Sequence, residues 1–259
     1  MTLPLAGLTV VVTRPARQAG PFVEALLERG ARAVAFPTLS IEPLDLPPGA
    51  RDAYAPDAHD WVVYTSANAV EHSLSRLGQP TRARVAAIGR ATARALASSG
   101  VRVDAWPEQG ADTEGLLAHP SFGDVAGQRV LIVKGAGGRD ALRAGLAARG
   151  ARVAVIDVYR RERARTPPDA LVAIGMPAAP DRTVVAVTSV EVLESLLDLV
   201  PDARLAWLRD VTLLVPGARV AAAGRALGWR GPIVAAASAE DGAMIEALTM
   251  PGGRTPPAC

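Results

Sequence analysis

The sequence predicts an α/β fold of two similar domains, each a parallel sheet flanked by helices, and three observations carry that prediction. A unit of strand, turn, helix and strand from Gly7 to Phe36 recurs from Gly127 to Ile156, and both copies close on the same Arg-Gly-Ala-Arg, at Arg29–Arg32 and Arg149–Arg152. Later units recur in one order: Asp60–Val70 is echoed by Thr183–Leu193, Ala87-Ile88-Gly89 by Leu213–Gly217, and Thr113-Glu114-Gly115 by Glu240-Asp241-Gly242. Short, continuously apolar runs alternate with helix-period segments, as parallel strands covered on both faces require. A chain that repeats half of itself is an internal duplication, and 259 residues divide into two domains of about 120 each.

Taken in order, the strand Leu8–Thr13 ends in Arg14-Pro15, and Gln18–Arg29 reads as a helix with Phe22, Leu26 and Leu27 inward. A strand at Arg32–Phe36 leads into the extended, Pro-bounded Pro37–Pro43. Asp45–Asp57 is rich in Pro, Gly and Asp without periodicity, which marks a linker at a domain edge. Strand Trp61–Tyr64 exits through Thr65-Ser66-Ala67-Asn68 into a helix Ala69–Leu77; strand Arg84–Ile88 exits through Gly89-Arg90-Ala91-Thr92 into Ala93–Ser99; Val101–Trp106 is a further strand. A helix follows Asp112-Thr113-Glu114. Strand Arg129–Val133 and helix Asp140–Arg149 precede strand Val153–Val158, which runs into the polar extended Tyr159–Arg163. Pro167–Pro180 reads as loop or weak helix, strand–turn–helix units resume to Met250, and Pro251–Cys259 reads as a disordered tail.

Hydrophobic content is 49% but aromatic content only 4%, so Ala, Val and Leu do the packing. No apolar run approaches the roughly 20 residues of a membrane span. Met1–Leu8 lacks the marks of a secretory signal, and the single cysteine, Cys259, excludes an internal disulfide framework and a cysteine metal cluster. A cytoplasmic protein is the expectation. Net charge is +2, and Lys134 is the one lysine among 28 basic residues. Arg offers bidentate carboxylate or phosphate recognition, but for the count as a whole a GC-rich genome that replaces Lys throughout is the better explanation, and each arginine at a strand end is a separate case. No basic run is interleaved with aromatics, so no nucleic-acid partner is expected.

In parallel α/β sheets ligands bind beyond the carboxyl ends of the strands, which directs attention to the exit turns at Thr13–Pro15, Thr65–Asn68, Gly89–Thr92, Lys134–Arg139, Thr188-Ser189 and Pro216–Arg219. Gly135-Ala136-Gly137-Gly138 invites a dinucleotide reading, but the fingerprint fails where Asp140 stands in place of its third glycine. Thr65-Ser66 and Thr188-Ser189 read either as N-caps or as ligand-facing hydroxyls that recur at the same sheet edge in both halves. His59, His72 and His119 have neither metal nor triad spacing, and no nucleophile elbow or Walker loop occurs. Asp112, Glu114, Glu240 and Asp241 stand at helix starts, where capping explains them. Tyr159 either packs its ring on the linker or donates a hydrogen bond into a cleft. An enzyme of this kind works with amides, hydroxyls and arginines.

These residues, in order, resemble the uroporphyrinogen-III synthase family over Leu5–Met250: Val11-Val12-Thr13-Arg14-Pro15, Val63–Val70, Ile88-Gly89-Arg90-Ala91-Thr92-Ala93, the Val130–Gly138 turn and Val158-Tyr159-Arg160-Arg161. The resemblance implies two α/β domains joined by a two-stranded linker: residues 1–38 with 165–251, and 43–158, with linker strands at 37–42 and 158–164 and a tail at 252–259. It implies a lyase without cofactor or metal, expected to be monomeric and to act away from membranes. The substrate would be hydroxymethylbilane, a linear polycarboxylate tetrapyrrole. Its terminal hydroxyl is lost to give an azafulvene, ring D closes through a spiro intermediate, and the ring is left inverted. Orientation matters more here than acid–base power.

On that resemblance the catalytic candidates are Tyr159 and Thr92, and the substrate-binding candidates Arg14, Thr65, Ser66, Ala67, Lys134, Gly135, Ser189, Gly217 and Arg219. Two departures stand out. Val215-Pro216-Gly217-Ala218-Arg219-Val220 replaces a Gly-Pro-x-Thr pattern, which removes the second helix-start hydroxyl and leaves Arg219 as its substitute; Val190-Glu191 replaces a small or Pro-polar pair after Thr188-Ser189. The altered turn motivates an alternative, a non-catalytic tetrapyrrole-binding or regulatory relative.

Overall fold

A computed structural model describes residues 3–107, 112–138, 140–165 and 182–250. The expected Pro167–Pro180 segment, the tail beyond 250 and Arg139 lie outside the described residues. The strands are β1 (Thr9–Val12), β2 (Arg32–Ala35), β3 (Leu39–Pro43), β4 (Trp61–Tyr64), β5 (Arg84–Ala87), β6 (Arg129–Gly135), β7 (Arg152–Arg163), β8 (Thr183–Ala186), β9 (Thr212–Val215) and β10 (Ile233–Ala235). The helices are α1 (Ala16–Leu27), α2 (Ala50–Ala53), α3 (Ala67–Glu71), α4 (Leu74–Leu77), α5 (Arg90–Ser98), α6 (Thr113–Ala118), α7 (Ala141–Ala148), α8 (Val190–Leu199), α9 (Asp202–Leu208), α10 (Ala218–Ala226) and α11 (Asp241–Thr249). No helix among the described residues is long and apolar enough to cross a membrane.

The chain forms two compact units, residues 1–40 with 162–259, and residues 41–161. In the first, the sheet order is β10-β9-β8-β1-β2 with every pairing parallel. In the second it is β3-β7-β6-β4-β5, and β7-β6-β4-β5 is parallel throughout. The duplication is now visible as topology: β2-β1-β8-β9 and β7-β6-β4-β5 follow the same order of repeated units. The β3–β7 pair is antiparallel, since Leu44 N–H bonds to Val158 O while Ala164 N–H bonds to Thr38 O.

Alternation along the strands builds a core on each face of each sheet. Val10 and Val12 pack with Phe22, Leu26 and Met244, while Val11 between them packs with Val185, Leu193 and Leu213. In the other unit Val62 and Tyr64 face one cluster with Leu96 and Leu131, and Trp61 and Val63 face another with Phe122 and Ile132. Small helix residues let the helices lie close, which is how a core poor in aromatics fills its volume.

Five local expectations are corrected. Leu27, expected to face inward with Phe22 and Leu26, is 52% exposed. Asp45–Asp57 is not an open linker: it holds α2 and a 3-10 turn at Pro56–Ala58, and Ala50 is 4% exposed in the core. The helix expected over Ala69–Leu77 is two, α3 and α4. The buried Ser73 hydroxyl donates to Ala69 O at 2.6 Å and contacts Val70 O at 3.3 Å, competing with the backbone ladder at the break. Val101–Trp106 contributes only a parallel bridge at Ala105 to Ala86. Finally, β7 continues unbroken from Arg152 through Tyr159 to Arg163, because pairing with β3 extends it.

Candidate active site

Parallel strands in register deliver their carboxyl ends to one edge. In the unit of residues 41–161, Tyr64 lies opposite Ala87 and Val133, so the turns after β4 and β5 and the end of β6 share that edge. Ser66, in extended conformation, caps α3 by accepting the Ala69 N–H at 3.0 Å, and its Oγ lies 3.1 Å from Tyr159 Oη. The N-cap reading of this serine is what the structure shows, and capping leaves its oxygen able to meet the phenol as well.

Tyr159 reaches Ser66 through a fault in strand pairing. Lys134 pairs with Asp157 but Gly135 pairs with Tyr159, so β7 carries an extra residue, Val158. Strict alternation would send Val158 and Tyr159 to opposite faces. Instead both join the same core cluster, at 0% and 4% exposure. Bulges re-aim side chains in this way and recur beside functional sites. The ring then lies against Gly135: a Cβ there would stand 2.7 Å from Cε2 and 2.8 Å from Cε1 of the tyrosine. Ala136 N–H bonds to Tyr159 O at 2.7 Å, and the His72 ring is tilted beside the phenol at 5.9 Å between centroids. Burial pushes the neighbouring Tyr64 phenol up, despite a hydrogen bond with Ser73, so it is a neutral wall.

Proton inventory follows from geometry. Ser66 Oγ already accepts one N–H, and the two hydroxyls share one hydrogen bond in which either is the donor. Whichever donates, the other hydroxyl keeps its hydrogen uncommitted within the pair. The remaining candidates of this unit differ in freedom. Thr65 is committed to Val133 O through its N–H (3.1 Å) and hydroxyl (3.4 Å). Lys134 Nζ is 3.7 Å from Asp157 Oδ1, a half-buried pair. Ala67 is exposed at the first position of α3, where a helix offers its own N–H no acceptor. Thr92 stands at the third position of α5, 3% exposed, and its hydroxyl has no partner among the described residues.

In the other unit Ser189 caps α8, accepting Val192 N–H at 3.2 Å. Arg14, on the turn after β1, is held internally. It is paired with Asp241 at the start of α11, donates to Ala239 O at 2.8 Å and lies over the Phe22 ring at 4.6 Å. Gly217 caps α10 with φ +135° and ψ 178°, a conformation reserved almost wholly for glycine. Arg219 is exposed and makes no hydrogen bond or ion pair among the described residues. Val220 takes the helix position that Thr92 takes in α5, is equally 3% exposed, and sits in the hydrophobic cluster with Val215 and Leu193.

These features are now joined by comparison with known proteins. The family model described as uroporphyrinogen-III synthase HemD matches residues 20–246, nearly the whole chain. The chain belongs to the uroporphyrinogen-III synthase family. Uroporphyrinogen-III synthase of Escherichia coli K12 is 34% identical over 248 residues, covering 93% of this chain and all of the relative; that of Salmonella typhimurium is 34% identical over 249 residues with the same coverage. The solved uroporphyrinogen-III synthase of Helicobacter pylori covers 92% of this chain and 97% of its own at TM-score 0.61 and 16% identity. A mutant of the Thermus thermophilus enzyme covers 93% and 97% at 0.60 and 20%. At those identities the likeness is one of fold.

Asp157 and Arg76 carry no mark in the sequence, and Asp241 and His72, legible only as a helix-start carboxylate and a histidine without metal or triad spacing, give no sign there of their contacts with Arg14 and Tyr159. Asp241 read as a helix-start carboxylate because its arginine lies 227 positions away. Nothing at Arg76 marks it beyond its four-residue spacing from His72.

Proposed function

We propose that this protein cyclises hydroxymethylbilane to uroporphyrinogen III with loss of water, as the names of its relatives indicate. The observation that best supports a specific chemistry is the Tyr159–Ser66 hydroxyl pair at 3.1 Å. Departure of the terminal hydroxyl breaks a C–O bond; the pyrrole nitrogen supplies electron density and the leaving oxygen must gain a proton. The uncommitted O–H of the pair can hydrogen-bond that oxygen and deliver the proton, and a positioned donor of this kind contributes about 10²–10⁴-fold. The pair recovers a proton from the pyrrole N–H lost in forming the azafulvene, so the elimination is balanced. Closure through the spiro intermediate then demands orientation of the chain ends more than further proton transfer.

In this reading Thr92, with its unpartnered hydroxyl and helix-start N–H, binds a substrate carboxylate or the developing charge, and Ala67 offers an N–H. Thr65, Ser66, Lys134, Gly135, Ser189, Gly217 and Arg219 complete the binding set. Arg219 is the arginine of this group with its charge uncommitted among the described residues; Arg14 must exchange Asp241 for a substrate carboxylate to take part. The protein is read as a cytoplasmic monomer whose domains follow the boundaries 1–38 with 165–251 and 43–158. The test is incubation with freshly generated hydroxymethylbilane and resolution of the uroporphyrin isomers. The III isomer is expected; only the I isomer, at the spontaneous rate, would remove the proposal and favour a binding or regulatory role.

A further inference from the structure

The bulge that seats Tyr159 must be held, because slipping β7 back by one residue would turn that side chain to the other face. One side chain does the holding. Arg76, half-buried at α4, donates from Nη1 to Val158 O at 3.2 Å and to His72 O at 3.3 Å, and from Nη2 to Leu44 O. Val158 is the extra residue of the bulge, and its carbonyl also accepts Leu44 N–H at 3.1 Å. His72 carries the ring beside the phenol. A single guanidinium thus ties together the bulge, the strand end that pairs with it and the residue flanking the tyrosine, while Gly135 leaves room for the ring on the opposite side. Three carbonyls in a fixed fan suit the rigid fork of Arg, not the point charge of Lys.

We infer that Arg76 is a positioning residue that acts through Tyr159. Among the described residues its guanidinium meets only backbone carbonyls, so its contribution to the reaction lies in fixing where the phenol stands. The inference rests on the reading of Tyr159 as proton donor.

The experiment compares Arg76→Met and Arg76→Lys in the natural and Tyr159→Phe backgrounds, measuring kcat and KM for conversion of hydroxymethylbilane to the III isomer. Misplacement of a reacting group by about 1 Å costs on the order of 10²-fold, so Arg76→Met should lower kcat by about 10- to 100-fold with KM little changed, and Arg76→Lys should fall between. In the Tyr159→Phe background, neither should lower kcat further. Natural kcat in Arg76→Met, or an equal loss in both backgrounds, overturns the inference. Should Arg76→Met fail to fold, Arg76→Lys takes its place in the same comparison: a loss confined to the natural background supports the inference, and natural kcat or an equal loss in both backgrounds overturns it. An unaltered kcat in Tyr159→Phe alone overturns the reading of the tyrosine, and absence of the III isomer from the natural protein overturns the proposed activity.

Discussion

Ser66→Ala removes two things at once, whereas Ser189→Ala, its counterpart in the duplicated unit, removes one. Both delete an N-cap: Ala69 N–H loses its acceptor in one case and Val192 N–H in the other. An N-cap is worth about 1 kcal/mol. Only Ser66→Ala also strips the partner from Tyr159 Oη, in a side chain 4% exposed, and an unpaired buried hydroxyl costs about 1–3 kcal/mol. Ser66→Ala should therefore destabilise by about 2–4 kcal/mol and Ser189→Ala by about 1 kcal/mol. In a Tyr159→Phe background no hydroxyl is left to orphan, and Ser66→Ala should fall to the cap cost alone. Urea unfolding followed by circular dichroism, fitted transition by transition because each unit has its own cores, closes this cycle. Turnover of hydroxymethylbilane should fall in Ser66→Ala far more than in Ser189→Ala. Equal costs for the two serines, with coupling between Ser66 and Tyr159 within about 0.5 kcal/mol of zero, would refute the claim that the hydroxyl pair is a working unit.

Thr92→Val should lower turnover with little change in stability, because the residue is 3% exposed as a whole while its hydroxyl, unpartnered among the described residues, is not one of the fully buried unsatisfied groups; a clear stability loss with intact turnover counts against a substrate-facing role. Gly217→Ala should cost about 1–3 kcal/mol in urea unfolding purely from its backbone at φ +135°, since the nearest atom to an added Cβ is Ala236 O at 4.0 Å. Asp57 should contribute to acid stability: partial burial alone would raise its carboxyl, but hydrogen bonds from the Thr81 hydroxyl and from the backbone N–H of Arg82, Thr81 and Ala83 outweigh this and hold it well below the usual carboxylate range. The sign is that of a depressed folded pKa: its stabilisation is present in full above the unfolded value of about 3.9 and is lost as pH falls below it. Asp57→Asn should accordingly flatten the acid limb of the stability profile, and an unchanged limb below about pH 4 refutes the assignment.

What was legible in the sequence was whatever periodicity and repetition encode. The strands at Trp61–Tyr64, Val130–Val133 and Val184–Ala186 are continuous apolar runs, and a run buried on both faces needs no knowledge of its neighbours to be read. What escaped depends on contacts distant in sequence. Ser73 breaks a helix that its neighbours favour, because its hydroxyl reaches back to Ala69 O. Val101–Trp106 has strand composition but finds a single bridging partner. The bulge at Val158 needs Gly135 beside it and Leu44 across from it, residues with no shared motif. Tyr159 and Ser66 stand 93 positions apart, so the sequence could nominate each but not their bond.

The duplication makes each unit a control for the other, and the comparison separates scaffold from chemistry. Both units keep the capping serine and the glycine before the next helix, and both keep a basic residue at or just past the end of the first strand of the repeated unit, held by a carboxylate: Lys134 by Asp157, Arg14 by Asp241. These shared features are what the fold requires at a sheet edge. The differences fall where chemistry would be. Thr92 is matched by Val220, the one polar without a partner and the other packed into a hydrophobic cluster. Ser66 shares a hydrogen bond with a buried phenol besides its capping bond, while Ser189 has its capping bond and, among the described residues, no counterpart to Tyr159 in β2, which ends at Ala35. An uncommitted hydroxyl at a helix start and a bulge held by a guanidinium are features that the other unit does without among its described residues. Their concentration in the unit of residues 41–161 is why the proton-transfer step is assigned there.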